Sequence, residues 1–368
     1  MRPTRLLASI PESTPFIGPE RLMRENGLTE LVRLGANESA FRPSPRAVEA
    51  MTADLDRLSW YGDPDSYALR DALAAKHGCA MEQIVVGCGI DDLMGLTVRA
   101  FVDAGDVAVA SLGTYPTFTY HVVGFGGRIE TVPYTQAGEP DLDALIARAQ
   151  RVRPSVVYLA NPDNPSGAFF SGEKIARFYE ALPSETLLFL DEAYADFVEP
   201  AQLPQLGFED RLVRVRTFSK AYGLAGARIG YALTTPRNAA LFEKIRLQYG
   251  VNRNAQIGAL AAIGDPGHLA WAVRETEASR DDYHALAREL GVASLPSLTN
   301  FVCIDMGDAQ RATLVMKELL RRGVWVRKPG APPLDRYIRV SAGTADMRDT
   351  FAQALRDVLA EMRAGTTP

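Results

Sequence analysis

The stretch Thr217–Tyr231, TFSKAYGLAGARIGY, sets Lys220 among small residues and follows it eight positions later with Arg228. Two hydroxyl residues, Thr217 and Ser219, precede the amine. Two readings compete. In one, this is a glycine- and alanine-rich surface loop carrying two solvated charges. In the other, the lysine bonds covalently to an anionic group that the hydroxyls and the guanidinium hold in place. Arg228 suits the second reading, because a guanidinium grips phosphate through two parallel hydrogen bonds. The surroundings have to decide.

Upstream, from about Ile84 to Leu233, short apolar runs alternate with helical patterns: IVVG, VAVA, RIETV, VVYLA, LLFLD, LVRVRT and RIGYALT. Runs rich in Val, Ile and Leu, bounded by Gly, Pro and Asp, read as strands buried on both faces. Their alternation with helices predicts a mainly parallel sheet of the α/β class. The C-terminal third changes character. A long helix over about 267–290 leads into NFVCIDM, a helix near Ala309–Arg322, GVWVRK, YIRVS and a last helix ending near Arg363, which together read as a smaller α+β lobe. This places a large domain at 45–260, with 1–44 and 261–368 forming an N-terminal arm and a small C-terminal domain. The arm, with PESTPFIGP and FRPSP, reads as irregular chain packed on the small lobe or on a partner.

Composition narrows the function. A net charge of −5 gives no basic field of the kind nucleic-acid binding needs. No apolar run approaches the roughly 20 residues that span a bilayer, and Pro11 breaks the only apolar stretch near the start, so the reading is cytoplasmic, with no membrane contact. Cys79, Cys88 and Cys303 are scattered without a CxxC pair, and the four histidines have no HExxH spacing, so neither a disulfide framework nor a metal site is expected.

Four motifs fall at predicted strand ends, where open α/β sheets bind their ligands. Asp191 closes the run LLFLD; it reads as a partner for a ring nitrogen or as a helix N-cap. Tyr194, three residues on, could hydrogen-bond the same ligand or pack. NPDNPSG after VVYLA is a proline-stiffened turn that puts the Asn164 amide at its tip, within reach of a phenolate oxygen. In IVVGCGIDD a Gly-x-Gly turn opens a helix near Ile90–Asp92, offering N–H groups to a phosphate or merely a cap by Asp91. Asp92 stands where a dinucleotide fingerprint wants its third glycine, and no GxxxxGK[ST] occurs. Tyr115, after VAVA, could stack on a planar ring or belong to the core.

A free lysine has a pKa of about 10.4, so exposing its lone pair at neutral pH costs roughly 4–5 kcal/mol. An imine with a carbonyl cofactor removes most of that cost. The cofactor that also wants a ring-nitrogen carboxylate, a phenolate partner, a stacking aromatic and a phosphate cup is pyridoxal 5′-phosphate. Each motif supplies one of these. The solvated-loop reading would need four coincidences.

TFSKAYGLAG, continued by ARIGY, resembles the lysine signature of the class-II pyridoxal-phosphate aminotransferases, and the chain is most similar to the histidinol-phosphate aminotransferase family. LGANESAFRPSP, YGDPDSYALRDALA, TYPTF, DEAYADF and YIRVSAGT extend the resemblance over nearly the whole chain. It implies the aspartate aminotransferase-like fold (fold type I), with a mostly parallel seven-stranded sheet, and a homodimer with shared active sites. It implies Lys220 as Schiff-base lysine and proton shuttle, Asp191 on the pyridinium, Asn164 and Tyr194 on the ring hydroxyl, and Tyr115 stacked on the ring. Thr217, Ser219, Arg228 and the backbone around Ile90 and Asp91 would hold the phosphate, and Tyr61 would reach the neighbouring subunit's phosphate. Arg339 would bind the anionic end of the substrate, with Asn37 and Arg327 assisting. The implied reaction passes an amino group from histidinol phosphate or an aromatic amino acid to 2-oxoglutarate. A lyase or amino-acid phosphate decarboxylase of the same fold is the alternative, and a non-catalytic cofactor-binding regulator a further one. One departure stands out: the family usually has Gly-Ser-Asp-Glu where this chain has Gly-Ile-Asp-Asp, which predicts weaker cofactor retention.

Overall fold

A computed structural model describes residues 1–10 and 16–365; the first five residues of PESTPFIGP lie outside them. The strands, in chain order, are β1 (Val32–Arg33), β2 (Ile84–Gly87), β3 (Val107–Ser111), β4 (Arg128–Val132), β5 (Val156–Ala160) and β6 (Leu187–Asp191). They continue with β7 (Leu212–Thr217), β8 (Gly230–Leu233), β9 (Phe301–Asp305), β10 (Val324–Trp325) and β11 (Tyr337–Ser341). All seven apolar runs between Ile84 and Leu233 form one sheet, in the order β4-β3-β5-β6-β7-β8-β2. Neighbours are parallel except at β8, which runs against both β7 and β2.

Both faces of this sheet are buried, as its unbroken aliphatic runs require. On one face Tyr158, Phe189, Val213 and Val215 meet Leu93 and Met94 of the helix Ile90–Phe101, and Phe118 and Val122 of the helix Pro116–Gly124. On the other, Val157, Leu159, Leu188 and Leu190 meet Leu145 of the helix Leu142–Val152, and Ile175 and Phe178 of the helix Gly172–Ala181. Each such side chain contributes about 1.5–3 kcal/mol by leaving water. The chain runs from β3 outward to β4 and then returns to β5 on the other side of β3. Connections that diverge in this way open a crevice beyond the carboxyl ends of the two strands.

A second core forms around β9 and β11, which pair antiparallel, under the helices Pro266–Glu289, Ala309–Arg321 and Ala345–Ala364. Here the structure corrects the irregular N-terminal arm. Helices form at Arg5–Ser9 and Pro19–Asn26, and β1 pairs parallel with β10, Val32 against Val324. The second helix carries its own signals: Pro19 at its first position, and Gly27 in the left-handed region at its end. Among the described residues no helix is long and apolar enough to cross a membrane. Nor are three His, Cys, Asp or Glu side chains grouped to hold a metal ion.

The loop after β7 is locked to the N-terminal segment at Gly223, which has φ +70°; a Cβ there would lie 2.5 Å from the Arg42 carbonyl oxygen. Left-handed backbone costs an L-residue about 1–2 kcal/mol, before any clash. Gly223→Ala should therefore lower stability by more than ~2 kcal/mol in urea denaturation. A loss below ~0.5 kcal/mol would mean that the loop moves freely off Arg42.

Candidate functional site

The carboxyl edge of the sheet collects the motifs. β6 ends on Asp191, β7 on Thr217, Tyr115 follows β3, and the loop after β5 carries Asn164. Because β8 runs backwards, its first residue, Gly230, pairs with the last residue of each neighbour, Gly87 of β2 and Thr217 of β7. The Gly-x-Gly turn and Arg228 therefore reach the same edge. Ile90, Asp91, Ser219 and Lys220 join them around a cleft of about 540 Å³. A second lobe of about 610 Å³, lined by Asn37, Arg327 and Arg339, shares Tyr115, Asn164 and Lys220 with the first.

Lys220 is held by a loop closed on itself: Gly223 N–H donates to the Lys220 carbonyl at 3.0 Å, and Leu224 N–H to the Phe218 carbonyl at 2.9 Å. Phe218, Tyr222 and Leu224 anchor that loop in a core. The lysine is thus the polar position in a stretch whose larger neighbours point inward. Its Nζ donates to the Asn37 carbonyl at 3.0 Å. Burial, reinforced by the charge of Arg339, lowers its pKa to about 8, against the pull of Asp191, Asp91 and Glu38.

Asp191 is buried, 5 % exposed. Its Oδ1 accepts from Ala193 N–H at 3.0 Å and its Oδ2 from the Tyr158 hydroxyl at 2.8 Å. Burial raises its pKa to about 6 despite these two donors. A cation beside it would keep it ionised. The Tyr194 phenol accepts from Asn37 Nδ2 at 3.0 Å, and burial holds its pKa above the ordinary value. Asn37 itself sits at φ +54° and is fixed by Ser341, whose hydroxyl accepts from its N–H at 2.9 Å.

The helix Ile90–Phe101 begins at Gly89 with no side-chain cap, which leaves its first N–H groups free for an anion. Asp91 does not cap it. One Asp91 oxygen accepts from the Tyr115 hydroxyl at 2.9 Å, and the other lies 3.4 Å from Arg228 Nη2. Gly89 has φ +83°, and a Cβ on it would come within 2.7 Å of the same Nη2. Glycine is what lets the guanidinium close over the helix end, setting a cation beside the uncapped N–H groups. These residues fit a phosphorylated pyridine aldehyde: an amine, a buried carboxylate, a phenol and an anion cradle in one cleft.

Arg339 donates from Nη1 to Asn164 Oδ1 at 2.6 Å, while its Nε is shielded from solvent and has no partner. Burial depresses both Arg339 and Arg327, and among the described residues no carboxylate pairs with either. Arg327 instead lies over the Phe16 ring, 4.3 Å from its centroid, and donates to the Ile17 carbonyl. Tyr61 is the one predicted residue outside this chain's cleft; it is exposed and stacked on Tyr249 at 4.4 Å.

Sequence reasoning missed Tyr158, Ser341 and Asp163. The last is buried and accepts from the Tyr134 hydroxyl and from Ser166, fixing the turn that presents Asn164. The proline-stiffened NPDNPSG turn was its signal, since a stiff turn needs an internal acceptor.

The sequence matches the family described as "Aminotransferase class I and II" over residues 29–355. It is 33% identical to the histidinol-phosphate aminotransferase of Moorella thermoacetica, over 96% of this chain and 92% of that protein. It is 36% identical to histidinol-phosphate aminotransferase 2 of Pseudomonas fluorescens, over 93% of each. The crystal structure of histidinol-phosphate aminotransferase from Sinorhizobium meliloti, in complex with pyridoxal-5′-phosphate, superposes with a TM-score of 0.94 at 43% identity, covering 98% of both chains.

The depressed Lys220 pKa gives a measurable sign. Between about 8 and its ordinary value the folded chain holds one proton fewer here than the unfolded chain, so this group's contribution to stability is present above that window and lost as pH falls through 8. Acylation of Lys220 in the cofactor-free protein, followed by peptide mass, should rise with a midpoint near pH 8. A midpoint at the ordinary lysine value of about 10.4 would remove the burial argument.

Proposed function

Because the chain belongs to the class I and II aminotransferases, we propose that it moves the amino group of an anionic L-amino compound, histidinol phosphate or an aromatic amino acid, to 2-oxoglutarate, with pyridoxal 5′-phosphate bound at Lys220. The observation that carries this is the pairing, in one cleft, of a lysine with a depressed pKa and an arginine whose Nε has no partner.

When bound, the cofactor supplies an electron sink for the substrate's α-carbon. The chain's own residues do the rest. Lys220 is the attachment point and, once released, the base that takes the α-proton and returns it on the other side of the reaction. Its pKa of about 8 suits that exchange near neutrality. The Asn37 carbonyl gives the free amine a resting place at 3.0 Å, inside the cleft. Asp191 holds a positive charge on the ring nitrogen. Tyr194, kept protonated by burial and oriented by Asn37, donates to the ring oxygen together with Asn164. Arg228, Thr217, Ser219 and the free N–H groups at Ile90 and Asp91 take the phosphate, and Tyr115 covers the ring. Arg339 binds the substrate's anionic end, a carboxylate or a phosphate, in a forked contact. Arg327, in the same lobe, is the second cation that a phosphate-bearing donor would use and an α-carboxylate would not need.

The proposed assembly is a homodimer with shared sites. Trp60, Tyr61, Tyr67, Leu247 and Tyr249 are all more than half exposed, an apolar surface rich in the aromatic residues that interfaces favour. A twofold axis there would give Tyr61 to the partner's cleft.

Two experiments test these readings. In a panel of amino donors, followed by conversion of bound cofactor to its amine form, Lys220→Ala should lose at least about a thousandfold in rate. Arg339→Gln should lose about a hundredfold in kcat/KM across all donors. Release of carbon dioxide or ammonia in place of a keto acid would overturn transamination. For the dimer, Lys220→Ala and Tyr61→Ala chains, each impaired alone, should recover activity when mixed and reassembled, since one site per hybrid then holds both residues. Absence of recovery would place Tyr61 outside the shared site.

A further inference from the structure

Tyr158 lies in the middle of β5, is 1 % exposed, and its hydroxyl makes a single hydrogen bond, to Asp191 Oδ2 at 2.8 Å. The register explains how it gets there. Tyr158 sits opposite Phe189, and Ala160 opposite Asp191. Side chains two apart on a strand share a face, so Tyr158 and Asp191 occupy the same face one diagonal step apart. Ala160, between them and small, leaves the phenol room to reach along the sheet to the carboxylate. The ring has little freedom to do anything else. It stacks on Phe118 at 4.9 Å and 22°, and on Phe189 at 5.9 Å and 21°. A tyrosine in such a place carries a cost unless its hydroxyl is satisfied, and among the described residues its one acceptor is the carboxylate at the end of the neighbouring strand.

We propose that Tyr158 is a positioning residue for the reaction: its phenol fixes the Asp191 carboxylate in orientation and charge, and through it sets how firmly the cofactor's ring nitrogen is held protonated. The proposal rests on the assignment of Asp191 to that nitrogen. Burial keeps the Tyr158 phenol far above its ordinary pKa, so it is a donor at every working pH and never a competing anion. Each Asp191 oxygen takes one donor inside the protein, Tyr158 on one and Ala193 N–H on the other, and keeps a further lone pair. The other charged and titratable groups acting on Asp191 are Asp91 and Lys220, with the Tyr115 and Tyr194 phenols near it. Asp91 disfavours the carboxylate and Lys220 favours it. The Tyr158 and Ala193 hydrogen bonds do not depend on the state of Lys220, and of the two only the Tyr158 bond comes from a side chain.

The test is Tyr158→Phe, which keeps the ring stack and removes one oxygen. A donor to a carboxylate favours its charged form, so without it Asp191 takes up its proton at higher pH. The acid limb of the kcat/KM profile should move up by about one pH unit, and the dissociation constant for pyridoxal phosphate, read by absorbance titration, should rise about tenfold. In an Asp191→Ala background the same substitution should change that constant less than about twofold. An unmoved acid limb with unchanged affinity beside a crippled Asp191→Ala overturns the proposal alone, as does an equal loss of affinity in both backgrounds, the mark of a merely structural role. An Asp191→Ala chain that keeps native affinity and rate overturns the underlying assignment, and the proposal with it.

Discussion

Two cations recessed in one cleft, Lys220 and Arg339, lose more by leaving water than their neighbours return. Burial is the leading influence on both, and it moves both pKa values down. Arg339 also disfavours the charge of Lys220, as the second cause of its shift. Proteins tolerate such placements where a ligand supplies the missing charge. The amine can shed its proton or bond covalently, but the guanidinium can do neither. The second lobe is thus suited to attract an anion, and the same imbalance brings the amine's pKa down toward neutrality.

The fold delivers these groups by strand direction rather than by sequence proximity. Parallel neighbours bring the ends of β3, β5, β6 and β7 to one edge, which accounts for Tyr115, Asn164, Asp191 and Thr217. The single reversed strand, β8, brings in Arg228, which precedes its first residue, and the Gly-x-Gly turn paired across from it. Gly230 is tight in that corner: a Cβ there would meet the Arg216 carbonyl oxygen at 2.8 Å. Beneath the edge Glu192 is buried between Arg214 and Arg216, 2.9 Å from each. The residues on either side of the strand tips thus divide by face, one set toward the cleft and the other tied into a closed charge cluster.

What could be read in the sequence follows from the same geometry. Aliphatic runs that stop at a polar residue mark both a strand and its carboxyl end, so the placement of Asp191, and of the turn that carries Asn164, at the candidate site's edge was legible in the sequence. Lys220 was legible from the small residues around it, although what seats its loop is the anchoring of Phe218, Tyr222 and Leu224. Tyr158 was not legible, because a strand buried on both faces has no alternation to reveal which side chains look toward Asp191. The Asn37 carbonyl that receives Lys220 was beyond reach too: a backbone acceptor has no residue signature, and the two lie 183 positions apart. The arm misled for a compositional reason. Prolines suggest irregular chain, yet Pro19 opens a helix because its missing N–H costs nothing at that position.

Ile90 is the departure from the family pattern, and it stands at the first residue of its helix. Where relatives of this pattern carry a serine hydroxyl, this chain has a side chain 8 % exposed that joins the core with Leu93 and Val85. The hydroxyl's hydrogen bond is exchanged for apolar burial at the first residue of the helix. The Ile90 side chain packs the helix end against Val85 of β2. Its N–H stays without an intrahelical partner, as at any helix start, and the dipole of the twelve-residue helix still points at the cradle. An anion at this helix end would meet backbone donors and Arg228, neither of which depends on the side chain at position 90. A phosphate bound there would be held by the fixed geometry of the helix start more than by side-chain hydroxyls.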